Sequence, residues 1–514
     1  MIQGWIDRHA GHRGGAVYLE DARGTGTLTY AGLRNATRAW AHSLDRAGVP
    51  PGARIAVALA DPLGYAAALV GLLGAGRVVV PLDAGAPTAE LARVLAVARP
   101  AAAVCDSRHG LPPGLAGLTV LTPPDGPTGA GSAGAGSASP GSASPGPVAA
   151  PAAAALAAVP TTGGGIFLCT SGTTGTPKGI LLGEGQLSHV AAGVAGHHRL
   201  GPADRGYCSL PLFHVNAEVV GLLATLSAGA CLVVDRRFSR RGFWPLVGER
   251  RITWINAVPA IISILALDPP AARTPQSFQG VRFVRSASAP LPPSVLGRFE
   301  DAFGVPVVET YGMTEAASMI TANPLDGPRK AGSAGLPVGV ELRITRQSGQ
   351  RPVTCRPFEV GRVQIRGAGV ITEYAQGGPA GAFDREGWLD TGDIGHLDSD
   401  GYLFLAGRSD DVINRGGEKI YPREIEDVLL AQPGVRSAAV VAARDPVLGE
   451  RPVAYIVPAG PCRGLGLADA LREACDSALP RHKRPSAFCL VEELPLGPTG
   501  KVTRGRLREM AFGG

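Results

Sequence analysis

The sequence predicts an α/β fold: a large N-terminal region of stacked mixed and parallel sheets with helices, followed by a small α+β domain. Three observations carry this. Apolar runs of strand length alternate with runs of helical period over 51–105, separated by Gly and Pro, the pattern of strands joined by crossover helices. From 161 to about 405 the pattern continues as mixed α/β with many strands. After Arg408 a compact segment has its own strands and helices. A chain of 514 residues with 45% hydrophobic side chains supports a sizeable core in more than one domain, and excludes global disorder.

In order, Arg54-Ile-Ala-Val-Ala-Leu-Ala reads as a buried strand, 65–73 as a helix, Arg77-Val-Val-Val-Pro-Leu as a strand, 91–98 as a helix and 101–105 as a third strand. Residues 124–160 hold Gly, Ser, Pro and Ala with SASPG in tandem. They cannot bury enough surface to offset their ordering entropy, so a flexible insertion is expected. The small domain reads as a helix over 422–430, strands over 435–442 and 452–457, a helix over 467–479 and a short terminal helix. The expected division is 1–407, a hinge at 408–411, and 412–514.

The net charge of +6 is mild for this length, and no basic stripe of the kind nucleic-acid binders carry runs along the chain. Eight cysteines include no CxxC pair, so neither a disulfide framework nor a zinc site is expected. The N-terminus lacks a basic segment followed by an apolar one, and the longest apolar run, 221–234, is too short to span a bilayer. A soluble cytoplasmic protein, monomer or homodimer, is expected.

The chain has 44 arginines but five lysines, Lys178, Lys330, Lys419, Lys483 and Lys501. Three of them (178, 419 and 501) lie in Gly-rich, turn-like segments, where a compact cation on a slim stem serves better than a guanidinium. The densest such segment is Thr170-Ser-Gly-Thr-Thr-Gly-Thr-Pro-Lys-Gly, which follows the apolar Phe167-Leu-Cys. Its small residues suit a backbone folded around phosphate, with hydroxyl donors and one cation. The Walker A spacing is not met.

This segment resembles the signature of the adenylate-forming superfamily, which includes acyl- and aryl-CoA ligases, peptide-synthetase adenylation domains and luciferases. Further segments resemble that family in its order: Pro211-Leu-Phe-His-Val-Asn, Tyr311-Gly-Met-Thr-Glu, Gly387-Trp-Leu-Asp-Thr-Gly-Asp, Gly401-Tyr-Leu-Phe-Leu-Ala-Gly-Arg, Asn414-Arg-Gly-Gly-Glu-Lys-Ile-Tyr-Pro and Leu494-Pro-Leu-Gly-Pro-Thr-Gly-Lys. The resemblance implies a two-step ligation. A carboxylate attacks the α-phosphate of ATP, giving acyl-AMP and pyrophosphate, and a thiol then displaces AMP. Both steps build charge on oxygen, so fixed donors and cations are expected to dominate.

By the same resemblance, Thr170, Ser171, Gly172, Thr173, Thr174, Gly175 and Lys178 hold the departing phosphates. Glu315 ligates Mg²⁺, as a hard oxygen donor suits. Ser288, Ala289, Pro290, Thr310, Tyr311, Gly312, Met313 and Thr314 surround the adenine and α-phosphate. Asp393 and Arg408 hold the ribose, and Lys501 bridges the attacking carboxylate and the α-phosphate. His214, Asn216, Ala287, Ala316 and Ala317 line the acyl pocket. The small domain turns about Asp410, withdrawing Lys501 and bringing in Gly416, Gly417 and Lys419 to form the thiol channel.

The resemblance thus implies ATP, Mg²⁺ and coenzyme A. A donor and acceptor at Asn216 suits a small aromatic or polar acid such as a substituted benzoate. A medium-chain fatty acid, a separate carrier protein as acceptor, and a non-catalytic nucleotide-binding protein are the alternatives. The chain ends 13 residues after Lys501, so no attached carrier domain is expected. Glu309 stands where the family often has Gln, and Leu182-Gly-Glu-Gly replaces its usual Thr-His-Arg-Asn.

Overall fold

The computed structural model describes residues 1–106, 118–121, 163–171, 177–267, 278–348, 351–460, 466–496 and 502–512. The 124–160 segment, the loop residues Gly172 to Gly175, and Lys501 lie outside the described residues.

The strand Arg54–Ala58 pairs in parallel with Val78–Pro81 on one side and Ala102–Cys105 on the other. Ile55 and Val57 enter the main core, while Ala56 and Ala58 pack into a second cluster with Val80, Leu91, Leu95 and Phe167. Both faces are covered, which is why these strands read as unbroken apolar runs. The first crossover helix, Pro62–Gly74, begins ahead of the expected 65, because Asp61 accepts from the Gly64 amide at 2.7 Å and Pro62 opens the first turn. Gly165–Ser171 joins the sheet in parallel and returns as the antiparallel Pro177–Gly183, giving six strands.

A second sheet has nine strands. Its centre is parallel: Arg205–Cys208, Cys231–Val234, Trp254–Ala257, Phe283–Ser286 and the first half of Val307–Met313. The helices Ile2–Arg13, Tyr30–Arg46 and Pro62–Gly74 share one apolar cluster with residues of both sheets. A third sheet of five antiparallel strands runs over 341–408 and ends in the paired strands Leu389–Leu397 and Leu403–Arg408.

After the short turn Ser409–Asp411 the chain enters a separate sheet. Val435–Asp445 and Gly449–Pro458 form its long hairpin. Val440 and Ala442 pack beneath the helices Pro422–Leu430 and Leu467–Ala478. Ala439, Val441 and Ala443, on the opposite face by the strand's period of two, pack against Leu507 of the terminal helix Arg504–Phe512. The small domain is thus a sheet covered on both sides, as its sequence periods predict.

The apolar run 221–234 is divided among three elements: the end of a π-helix Asn216–Leu223, a short helix Ala224–Ala228 and the strand Cys231–Val234. Among the described residues no helix is long and apolar enough to cross a membrane, and the described cysteines are unbridged.

Candidate active site

Two sheets meet at the C-terminal half of Val307–Met313. The Tyr311 hydroxyl donates to Asp393 Oδ2 at 2.5 Å. Asp393 lies opposite Arg408 in the register of the strand pair, and Arg408 Nη1 reaches Asp393 Oδ1 at 3.2 Å and the Thr391 carbonyl at 2.9 Å. Burial first, and then the Asp393 charge, hold the Tyr311 phenol well above its usual range, so it donates at any physiological pH. Residues from three separated motifs thereby become one network with a half-exposed guanidinium at its rim.

The second cluster forms at the tight turn after Met313. Glu315 is 8% exposed, and its Oε1 accepts from the Tyr374 hydroxyl at 3.0 Å. Lys178 lies over the ring of the same tyrosine at 5.7 Å. The lysine stands on the strand Pro177–Gly183 rather than in a turn, and the strand is held to this segment by reciprocal bonds between Gly179 and Gln376. The turn is strained: Ala317 has φ 49° and Ser318 φ 104°, values that L-residues rarely adopt. Gly312 faces it so closely that a Cβ would lie 1.4 Å from the Ser318 carbonyl oxygen. Only glycine fits there.

Glu315 fits a magnesium site of the open kind, since Mg²⁺ carried on phosphates needs one or two carboxylates, not a protein cage. Among the described residues no group of three or more acidic, His or Cys side chains gathers to form such a cage.

A third cluster lies beneath the segment Ser288, Ala289 and Pro290, all three exposed. Ser288 has φ 75°. Asn216 donates from Nδ2 to Ser288 Oγ at 3.3 Å, while its Oδ1 accepts from Arg285 Nη1 at 2.7 Å and Asn256 Nδ2 at 3.3 Å. Arg285 is 1% exposed, and burial pulls its guanidinium down to about 9.

Other expected site residues are distributed as follows. His214 is half-buried beside Phe213, just ahead of the π-helix. Thr310 turns its hydroxyl to the Ser286 carbonyl at 3.0 Å. Met313 and Thr314 are half-buried. Ala287 is buried, Ala316 packs with Ile320 and Ile365, and Ala317 enters the main core. In the small domain, Gly416 (φ 60°) and Gly417 (φ 93°) form the two-residue turn of a hairpin between Ile413–Arg415 and Glu418–Ile420, a turn that requires positive φ at both positions. Lys419 and Asp410 are exposed. The small domain meets the large one through Arg423, which donates to the Leu405 and Gly332 carbonyls at 3.1 and 3.3 Å, and through Leu430, whose carbonyl accepts from Ser294 Oγ.

Sequence reading missed Tyr374, Asn256 and Arg285. A charge in the middle of the apolar strand Phe283-Val-Arg-Ser was the signal available for Arg285. Tyr374 carried no local signal, since its partners are 59 and 196 positions away.

Comparison with known proteins agrees with this geometry. The family described as "AMP-binding enzyme" matches residues 6–375, and "AMP-binding enzyme C-terminal domain" matches 424–501. The chain is 39% identical over 498 residues to a sulfoacetate–CoA ligase of Cupriavidus necator, covering 93% of this chain and 92% of that protein. It is 39% identical over 347 residues to an oxalate–CoA ligase of Arabidopsis thaliana, covering 66% of each. The solved structure of ATP-bound MatB from Rhodopseudomonas palustris superposes with a TM-score of 0.84 at 28% identity over 99% of both chains. That of Bacillus subtilis o-succinylbenzoate CoA synthetase with its acyl-adenylate gives 0.80 at 26% identity, over 98% of this chain and 97% of that one. With two strand systems converging on a tyrosine–carboxylate–arginine network, a carboxylate turn and a lysine strand, and with both family models matched in order, the chain belongs to the AMP-binding enzyme family.

Proposed function

We propose that the protein is an ATP-dependent carboxylate–CoA ligase that converts a small polar or aromatic acid to its acyl-adenylate and then to its CoA thioester. The observation that carries the reading is the convergence of Asp393–Tyr311–Arg408 and Glu315–Tyr374–Lys178 at one sheet junction. The first set would take a ribose: Asp393 offers acceptors to the hydroxyls, fixed in place by its two donors. The second would take the phosphates: Lys178 and the loop from Thr170 would neutralise the departing pyrophosphate, and Glu315 would ligate the Mg²⁺ that travels with it. The metal supplies charge neutralisation at the phosphate oxygens. Glu315 keeps a second oxygen for this purpose while Tyr374 occupies the first.

Lys501 would join the attacking carboxylate to the α-phosphate. The substrate needs no general base, because a carboxylic acid is ionised at neutral pH; positioning and charge stabilisation therefore carry the chemistry. His214 would gate the acid, with Asn216 and Ala287 behind it. After adenylation the small domain would turn at 408–411 and present the Gly416–Gly417 hairpin to the thiol.

The test is pyrophosphate release from Mg-ATP across hydroxy- and aminobenzoates, cinnamates, oxalate and alkanoates, with and without CoA. Acid-dependent release with an acyl-CoA product is expected. Release without acyl-CoA would redirect the second step to a carrier protein. ATP binding without release under any condition would overturn the enzymatic reading.

A further inference from the structure

Among the described residues no carboxylate forms an ion pair with the buried guanidinium of Arg285, and its Nε is buried without a hydrogen-bond partner. Its bonds go to the amide oxygens of Asn216 and Asn256, at 2.7 and 3.0 Å from Nη1. A buried cation left in this way is costly unless something else supplies the negative charge.

The geometry also decides which way Asn216 faces. An asparagine can present either its oxygen or its NH₂ group to a ligand. Here Oδ1 is taken by two donors, Arg285 and Asn256, so the NH₂ must point the other way, towards Ser288 Oγ at 3.3 Å. Ser288 is exposed and held in the left-handed region at φ 75°, a strain of the kind kept at ligand sites. The path from Arg285 through Asn216, two positions after His214 in the chain, to the exposed Ser288 therefore delivers a donor face, backed by a positive charge, to the surface. A hydrocarbon tail leaves this face unsatisfied, and a donor such as an amine is repelled.

We infer that the acid this protein activates carries a second anionic group, a carboxylate or sulfonate, recognised by Asn216 and Ser288 and electrostatically matched by Arg285. The inference rests on the ligase reading and names the substrate class of that same site. Arg285 is a positioning residue: it orients Asn216 and supplies the field, and the contact to the acid's tail is made by Asn216 and Ser288, which reassigns Ser288 from the nucleotide contact that the resemblance implies to the acid.

The experiment compares kcat/KM for pyrophosphate release between acids of the same shape with and without the second charge: sulfoacetate against methylsulfonylacetate, malonate against acetoacetate, and succinate against levulinate. The wild type is expected to prefer the dianion by at least ~50-fold in its best pair, since a site built around a polar group rejects the analogue lacking it. Arg285→Gln is expected to lower that ratio below ~5, chiefly through KM for the dianion. Arg285→Lys, which keeps the charge, is expected to restore part of it. Equal or better turnover of the singly charged members by the wild type would overturn the inference while leaving the ligase reading intact, and needs no variant to fold. Equal loss of both members in a folded Arg285→Gln would overturn it too, by reducing Arg285 to a structural role. Silence with every acid would overturn the ligase reading and this one with it.

Discussion

At the scale of single residues, the hydroxyl of Tyr374 is the clearest case of a group whose importance only its partners reveal. It donates to Glu315 and its ring underlies Lys178. Burial, and then the Glu315 charge, keep it protonated. A hydrogen bond to a charged group contributes about 1.5–3 kcal/mol, so Tyr374→Phe should slow pyrophosphate release roughly 10- to 100-fold. It should also raise the Mg²⁺ concentration needed for half-maximal rate, and a magnesium titration at saturating ATP measures both. Glu309 behaves differently. Its Oε1 accepts from the Leu291 amide and Oε2 is buried without a partner. Burial pushes its carboxyl up to about 7, with Arg423 of the small domain opposing that rise. Between the unfolded value near 4.3 and about 7 the native state holds the extra proton. Stability from this group is therefore full at low pH and is lost as pH rises through 7. Glu309→Gln should remove that loss, gaining roughly 3–4 kcal/mol at pH 8 and about 1 kcal/mol at pH 5. Thermal unfolding at the two pH values checks this, and an equal gain at both would refute it.

At the scale of elements, the turn after Met313 shows how backbone geometry sets the site. Gly312 sits against the Ser318 carbonyl, and the strained residues 317 and 318 reverse the chain directly after Glu315. Gly312→Ala cannot be accommodated without moving Ser318, so a loss of more than ~3 kcal/mol in unfolding free energy is expected, with loss of ATP binding. Denaturant unfolding and nucleotide titration measure these. Element identity was well marked in the sequence: the alternation of strands and helices over 54–105 matches the observed parallel pairs, because burial on both faces leaves an apolar run that local pattern reveals. Boundaries were less legible where a cap decides them, as at Asp61 and Pro62. The π-helix Asn216–Leu223 was not foreseen at all, since one extra residue per turn leaves no signature in composition.

At the scale of the whole molecule, the small domain is a separate sheet with its own two apolar clusters, joined to the large one across the short turn Ser409–Asp411. Its hydrogen bonds to the large domain are few among the described residues and come from Arg423 and Leu430. A joint of this kind can break and re-form. The hairpin carrying Gly416, Gly417 and Lys419 bonds instead within its own domain, to Leu448 and Glu450. A turn at 408–411 that exchanges Lys501 for this hairpin predicts separable half-reactions. Lys501→Ala should lose at least ~100-fold in adenylation while thioester formation from supplied acyl-AMP persists. Equal damage to both halves would rule the exchange out.

The sequence by itself determined the α/β class, the order of the family's signature segments and the composition of the small domain. These follow from local pattern: apolar period, caps, and dense runs of Gly, Ser and Thr. Tertiary structure decided which residues act together. The register that sets Asp393 opposite Arg408, the tyrosine that ties Glu315 to Lys178, and the cation that orients Asn216 all join positions far apart in the chain. No local pattern encodes a contact between distant positions; it exists only once the sheets have packed and the pairing of strands has fixed which side chains face each other.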